Sequence, residues 1–260
     1  MVLSQKPFPS VWQRFGVLLV CAWALPWMAH ATHNRAGEIT YTHLQGLTYE
    51  VVITTYTKAD ALADRPFLKL RWGDEIGPAL DSLTRELPVG QLPGNVQVNV
   101  YRGTHTYGGP GAYELSVEDP NRNDGVLNMT GSVDTPFAIR SLLIIDPQAG
   151  NNNSVQLLNP ATENACLNQL WIHNPAAFDP DGDLLTFGLV PSRGFNGEFI
   201  PTYVYPDEVG SVPNAFEIDE FTGDVTWDSP KIAGEYNAVS YTHLRAHETE
   251  ADLVCRLLLE

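Results

Sequence analysis

The sequence predicts an all-β chain built from two antiparallel β-sandwich domains, the second of them truncated. Three observations predict it. Short runs of alternating apolar and polar residues recur along the chain. Gly, Pro, Asn or Asp bounds each run. Helix signals are scarce between Thr32 and Ala238. Strands with period-two alternation can bury themselves only by stacking one sheet face on another.

The elements follow in order. Residues 38–43 form a first run, and Tyr49, Val51, Ile53 and Thr55 alternate with Glu50, Val52, Thr54 and Tyr56 in a second. Gln45-Gly46 between them suits a hairpin turn. Val96, Val98 and Val100 alternate with Gln97 and Asn99, and Tyr113, Leu115 and Val117 alternate with Glu114, Ser116 and Glu118. Residues 137–145 form a longer apolar strand that stops at Asp146-Pro147. Beyond Asn159-Pro160, residues 184–190, 215–219 and 224–227 read as strands, while 162–170 can hold a helical turn or two. The polar turn-formers Gly150-Asn151-Asn152-Asn153-Ser154 make the best linker, so the expected domains are 32–155 and 156–238. Gly111-Ala112-Tyr113 and Gly234-Glu235-Tyr236 both place a tyrosine two residues after a glycine, at the start of a late strand. In sandwiches such a tyrosine can anchor a corner through its hydroxyl.

Both ends read differently. Lys6 and Arg14, a short apolar stretch from Phe15 to Trp27, and Ala29-His30-Ala31 form a secretory signal, expected to be cleaved after Ala31. No later segment is apolar enough to span a membrane, so the reading is a secreted or cell-surface protein. At the other end, 239–249 reads VSYTHLRAHET and 252–260 reads DLVCRLLLE. The first string resembles one reading frame of a transposase-based sequencing adapter, and the second resembles the stretch that follows the sample index. The codons between them match an index in length. The alternative for this tail is a charged amphipathic helix. The adapter resemblance implies no function for His243, His247 or Cys255, and a native chain that continued past about Ala238.

The chain carries a net charge of −16. Removing both ends takes four charges of each sign and leaves that value unchanged. An acidic surface repels phosphate and argues against a nucleic-acid partner. Cys166 is the lone cysteine of the trimmed chain, which excludes a disulfide-stapled fold.

The sharpest chemical signal is Asp179-Pro180-Asp181-Gly182-Asp183, followed by the strand run from Leu184. Asp179, Asp181 and Asp183 stand at alternate positions, and Gly182 permits a bend that could turn them toward one point. Crowded carboxylates repel, and calcium, a hard cation that takes six to eight oxygens, relieves the repulsion. Asn174, Asp219 and Asp224 could add oxygens. The competing reading is a bare acidic turn in which Asp179 bonds the turn's own backbone. A second cluster, Asp119-Pro120-Asn121-Arg122-Asn123-Asp124-Gly125, has an arginine inside it and reads as a structural turn. No nucleophile, phosphate-loop or metalloprotease motif is present, and His33, His43, His105 and His173 are scattered, so the expectation is a protein that is not an enzyme.

From Asp179 onward the chain resembles cadherin-like and related immunoglobulin-like modules of bacterial surface proteins. The DPDGD string, Phe216-Glu217-Ile218-Asp219, Thr222-Gly223-Asp224-Val225-Thr226-Trp227 and Gly234-Glu235-Tyr236 carry that likeness. It implies structural calcium at Asp179, Asp181 and Asp183. The trimmed chain also resembles the N-terminal region of gliding-motility-associated secreted proteins, through residues 32–41, His105-Thr106-Tyr107, Asp119-Pro120-Asn121-Arg122 and His173-Asn174-Pro175. Together these imply a surface, adhesion or structural role with a protein or glycan partner. The rival is a carbohydrate-binding accessory region of an exported polysaccharide-degrading enzyme, with Trp72, Tyr107 or Trp171 as a stacking platform.

Overall fold

A computed structural model describes residues 34–61, 65–74, 80–120, 122–148, 150–211, 214–244 and 250–259, with backbone alone from 243 onward. The leader, with His33, lies outside the described residues. The described chain is all-β, with helix limited to three single 3-10 turns.

In chain order the first eight strands are β1 (Asn34–Gln45), β2 (Thr48–Lys58), β3 (Phe67–Leu70), β4 (Asp81–Thr84), β5 (Gly90–Leu92), β6 (Val96–Thr106), β7 (Gly111–Asp119) and β8 (Phe137–Ile145). β1 and β2 form the expected hairpin, with Gln45 opposite Thr48 and Gly46 in the left-handed region at φ 57°. A residue with a side chain is strained there, which is why glycine holds that corner. β2 pairs with β6 and β7 with β8, both antiparallel. Inward positions alternate as the sequence required. Val51 and Ile53 on β2, Leu115 and Val117 on β7, and Ile139 and Leu143 on β8 join one buried core with Leu70 and Trp72.

The later strands are β9 (Gln156–Leu157), β10 (Thr162–Ala165), β11 (Trp171–His173), β12 (Ala177–Phe178), β13 (Leu185–Val190), β14 (Ala215–Ile218), β15 (Val225–Asp228), β16 (Gly234–Leu244) and β17 (Glu250–Leu259). A second core gathers Ala165, Phe216, Val225, Trp227, Tyr236 and Ala238 beneath the β11-β15-β14 sheet. Trp227 and Tyr236 meet edge to face at 4.8 Å between centroids.

Three features depart from the sequence reading. The helical turn expected within 162–170 is strand β10 followed by a turn, because the segment pairs in parallel with β17 instead of closing helical bonds on itself. Residues 150–154 do not run free as a spacer. Asn152 and Ser154 are buried, and the segment is fastened along the edge of β1. The Ser154 N–H donates to the Tyr41 carbonyl at 2.9 Å, the Tyr41 N–H to Ser154 Oγ at 2.7 Å, and the His43 N–H to Asn153 Oδ1 at 2.8 Å. Polar side chains thus satisfy backbone groups that β1 would otherwise bury unpaired. Finally, the described residues of the tail that resembles adapter sequence, 239–244 and 250–259, are strand and not helix. β17 lies between β16 and β1 in a ten-stranded sheet, opposite β16 from Gly234–Leu259 to His243–Glu250 and opposite β1 at Gly37–Val254.

The paired tyrosines behave alike. The Tyr113 hydroxyl donates to the Gly109 carbonyl at 2.8 Å, and the Tyr236 hydroxyl to the Ile232 carbonyl at 2.9 Å. Each reaches back four residues and pins the approach to its strand, β7 or β16.

Candidate functional site

The acidic loop 179–183 lies between β12 and β13. Asp179 is 6% exposed. Its Oδ1 accepts the N–H groups of Asp181 at 2.8 Å and Asp183 at 3.2 Å, and the Gly182 N–H reaches the Asp179 carbonyl at 3.3 Å. Gly182 takes φ 84°, which closes the bend. Asp181 turns away toward the linker. Its Oδ2 accepts the Asn153 N–H at 2.6 Å and its Oδ1 the Asn153 side-chain amide at 2.8 Å. The same Asn153 holds β1 through His43, so a continuous path runs from the acidic loop through the linker to the first hairpin.

The loop's oxygens are of the hard type calcium prefers, and the buried Asp179 Oδ2 has no hydrogen-bond partner. In this structure the three carboxylates are not drawn to one point, and two of them are spent on neighbouring amides. Asp179 Oδ1 is occupied by two amides and both Asp181 oxygens by Asn153. Among the described residues no group of three His, Cys, Asp or Glu side chains is gathered as a metal would need. The geometry at Asp179 is that of the bare-turn alternative: a carboxylate that caps its own turn.

The supplementary candidates are likewise engaged. Asp219 Oδ1 accepts the N–H groups of Phe221 and Thr222, each at 2.8 Å, in the turn between β14 and β15. Those backbone donors, Thr222 foremost, hold the Asp219 carboxyl below its ordinary range. Asn174 donates to Asp224 Oδ1 at 2.7 Å and to the Thr222 carbonyl at 3.0 Å, tying β11's exit to that turn.

The second acidic cluster is structural, as its arginine suggested. Asp119 is buried and pairs with Arg65, Nε to Oδ2 at 3.0 Å. Arg122 is also buried. It donates to the Pro136 carbonyl at 3.0 Å, the Arg193 carbonyl at 2.8 Å and Ser192 Oγ at 3.3 Å. Burial pushes its guanidinium down to about 10, which leaves it protonated at neutral pH. The spacing of the cluster gave no sign that Arg122 would hold residues 192–193 from across the chain.

The histidines make no catalytic arrangement among the described residues. The His43 ring meets the Gly46 carbonyl at 3.0 Å, His105 meets Asp74 at 2.8 Å, and His173 meets Glu163 at 2.6 Å. Cys166 is exposed and free. Of the aromatic candidates, Trp72 and Tyr107 are core residues at 2% exposure, with Trp72 Nε1 donating to Asp81 at 2.7 Å. Trp171 is half-buried, stacked on the His173 ring at 5.7 Å and packed against the second core. The exposed rings are instead phenylalanines, among them Phe195, Phe199 and Phe221.

No family matches this chain, and no curated protein matches it. Among solved structures it is similar to the fibronectin(III)-like modules of Clostridium thermocellum CbhA, at 12% identity over 80% of this chain and 85% of that one, with a TM-score of 0.24. It is also similar to SGBP-B of the Bacteroides ovatus mixed-linkage glucan utilization locus, whose structure is a complex with a mixed-linkage heptasaccharide. There the identity is 10% over 86% of this chain and 60% of that one, with a TM-score of 0.17.

Proposed function

We propose that residues 32–238 are an exported, non-enzymatic surface module, a pair of sandwich-like units that act as a spacer and present binding faces to a surface protein or glycan. One observation carries this reading. The side chains with the most chemical potential are spent on holding the fold: Asp179 caps a turn, Asp181 clasps the linker, Asp119 pairs with Arg65, and the histidines bond a carbonyl or a lone acid. Stiffness is ascribed to the Asp181–Asn153–His43 path, and structural calcium at Asp179, Asp181 and Asp183 stays part of the proposal, tested by melting with calcium and with chelator. The division at 155/156 belongs to this reading although Val239 packs in the first core and Ala161 packs with Ala36, Tyr56 and Val96 across it, and the resemblance to gliding-motility-associated proteins supports an outer-surface role. The adapter origin of 239–260 belongs to the same reading, and genomic sequence read across codon 239 tests it.

The rival reading, an accessory region for polysaccharide binding, loses Trp72 and Tyr107 as a platform because both are buried. Export is tested by expressing the chain in a bacterial host, shaving intact cells with protease and measuring the mass of the mature N-terminus. The expected result is Thr32 at the N-terminus and loss of the module on shaving. A protein that keeps Met1 and stays protected inside the cell overturns the proposal.

A further inference from the structure

The connection from β7 to β8 is pinned on both sides of one exposed dipeptide, Asp124-Gly125. Before it, the Asn123 N–H donates to the Asn34 carbonyl at 3.1 Å and the Asn123 side-chain amide to Glu235 Oε2 at 2.6 Å. After it, the Val126 N–H donates to Ser132 Oγ at 3.4 Å and the Leu127 N–H to the Glu235 carbonyl at 2.8 Å. Asp124 and Gly125 span the gap in contact with solvent, with Gly125 in the left-handed region at φ 77°.

Within that span the Gly125 N–H donates to Oδ1 of Asp124 itself at 2.8 Å. The bond brings the Gly125 nitrogen against the carboxyl carbon of the residue before it. Those two atoms are the ends of a five-membered ring that one new N–C bond closes. An oriented intramolecular pair reacts far faster than one that must find its geometry by chance. Glycine helps, because it has no Cβ to shield the nitrogen and the space around it is open. The comparable dipeptides lack the arrangement. In Asp181-Gly182 the glycine N–H donates to the Asp179 carbonyl at 3.3 Å, and Asp181 turns its carboxylate to Asn153. In Asn196-Gly197 the glycine N–H donates to the Gly194 carbonyl at 3.2 Å.

We propose that Asp124-Gly125 is a site of spontaneous succinimide formation and isoaspartate accumulation, and that the conversion loosens the β7–β8 connection. The Gly125 nitrogen attacks Asp124 Cγ, and the N–Cγ bond forms. The protonated carboxyl gives up its hydroxyl and the nitrogen its proton, and the two leave as water. Water then opens the ring at either of its carbonyls. Cleavage of the N–Cγ bond restores aspartate. Cleavage between the nitrogen and the main-chain carbonyl carbon of Asp124 leaves isoaspartate, whose backbone runs through Cβ and Cγ. The water lost in the first step returns in the second, so no oxidant, reductant or second substrate enters. Isoaspartate lengthens the backbone by one C–C bond, ~1.5 Å. Asn123 and Leu127 are fastened to Asn34 and Glu235 on either side, so the added length is taken up at the expense of those bonds. The inference stands on local geometry and does not depend on export or on any ligand.

The experiment ages the full chain at physiological temperature in mildly acidic buffer, once native and once in concentrated urea. Peptide mapping with electron-transfer fragmentation then locates the isoaspartate. In the native protein Asp124 should exceed Asp181 at least about tenfold, as an orientation effect predicts. In urea only the shared Asp-Gly sequence remains, and the two sites should agree within about threefold. The aged native protein should melt below fresh protein. Asp124→Glu, which has to close a six-membered ring, should melt alike before and after ageing. The comparison of Asp124 with Asp181 uses wild-type protein alone and survives if that variant fails to fold. Equal isoaspartate at the two sites in the native protein, none at Asp124, or a contrast that persists in urea each overturns the modification site. A chain modified at Asp124 that melts like fresh protein overturns the loosening of the connection.

Discussion

Asn128 gives the sharpest test of how the two halves are joined. It is 1% exposed, and its side chain is used in full. The side-chain amide donates to the carbonyls of Val204 at 2.8 Å and Asn237 at 2.7 Å, and Oδ1 accepts the Asn237 N–H at 2.9 Å. One residue therefore serves as a short length of strand beside β16. In Asn128→Ala the Asn237 carbonyl keeps the Tyr203 hydroxyl at 3.2 Å, whereas the Asn237 N–H and the Val204 carbonyl lose their partner. The buried Asn237 N–H costs roughly 1–3 kcal/mol when orphaned, and the Val204 carbonyl, on a residue 39% exposed, adds less, so the loss is about 3 kcal/mol. For a domain of this length that lowers Tm by roughly 6–12 °C. Asn128→Asp keeps the acceptor, removes both donors and sets a buried negative charge against two carbonyls, so it should cost more than alanine. Thermal and urea unfolding at neutral pH, followed by circular dichroism, should rank wild type above Asn128→Ala above Asn128→Asp. A loss under about 1 kcal/mol for alanine, or aspartate matching wild type, refutes the assignment of a fully used buried amide.

Further outcomes follow from single groups. Tyr113→Phe and Tyr236→Phe each remove one hydroxyl bond without disturbing packing, and each should lower stability by about 1 kcal/mol in urea titrations; no change in either would remove the corner role. Burial pushes the Glu38 carboxyl up to about 7. Between its ordinary range and that value the folded state keeps a proton the unfolded state has released, so stability falls as pH rises through the window, by about 3 kcal/mol in all. Glu38→Gln should therefore raise Tm at pH ~8 and leave it nearly unchanged at pH ~4, and a gain of equal size at both pH values would count against this account. Asp181→Ala, measured in chelator, should lower stability by about 1 kcal/mol through loss of the Asn153 clasp. A calcium-dependent rise in Tm that this substitution abolishes would support Asp179, Asp181 and Asp183 as ligands, and equal melting of wild type with calcium and with chelator would count against them.

Much of the architecture could be read residue by residue. β8 spans the predicted 137–145, the hairpin closes at Gly46, and Tyr113 and Tyr236 bond as their shared glycine-tyrosine spacing suggested. Those signals are local: alternation over nine or more residues, or a turn residue with a required backbone angle. The two-residue strands β9 and β12 escaped because alternation cannot show in so few positions. Residues 150–154 read as a linker for a related reason: polar composition reads as solvent exposure unless the strand edge it satisfies is known.

The sequence by itself determined the all-β class, the central strands and the acidic surface, because period-two burial and net charge are properties of neighbours along the chain. Only the tertiary structure decided what the charged side chains do. It turned Asp181 to Asn153, sank Arg122 against the Pro136 and Arg193 carbonyls, and aligned Arg71 with Arg140 across Ser116. These pairings join residues tens of positions apart, and sheet register, which no local pattern encodes, sets their distances.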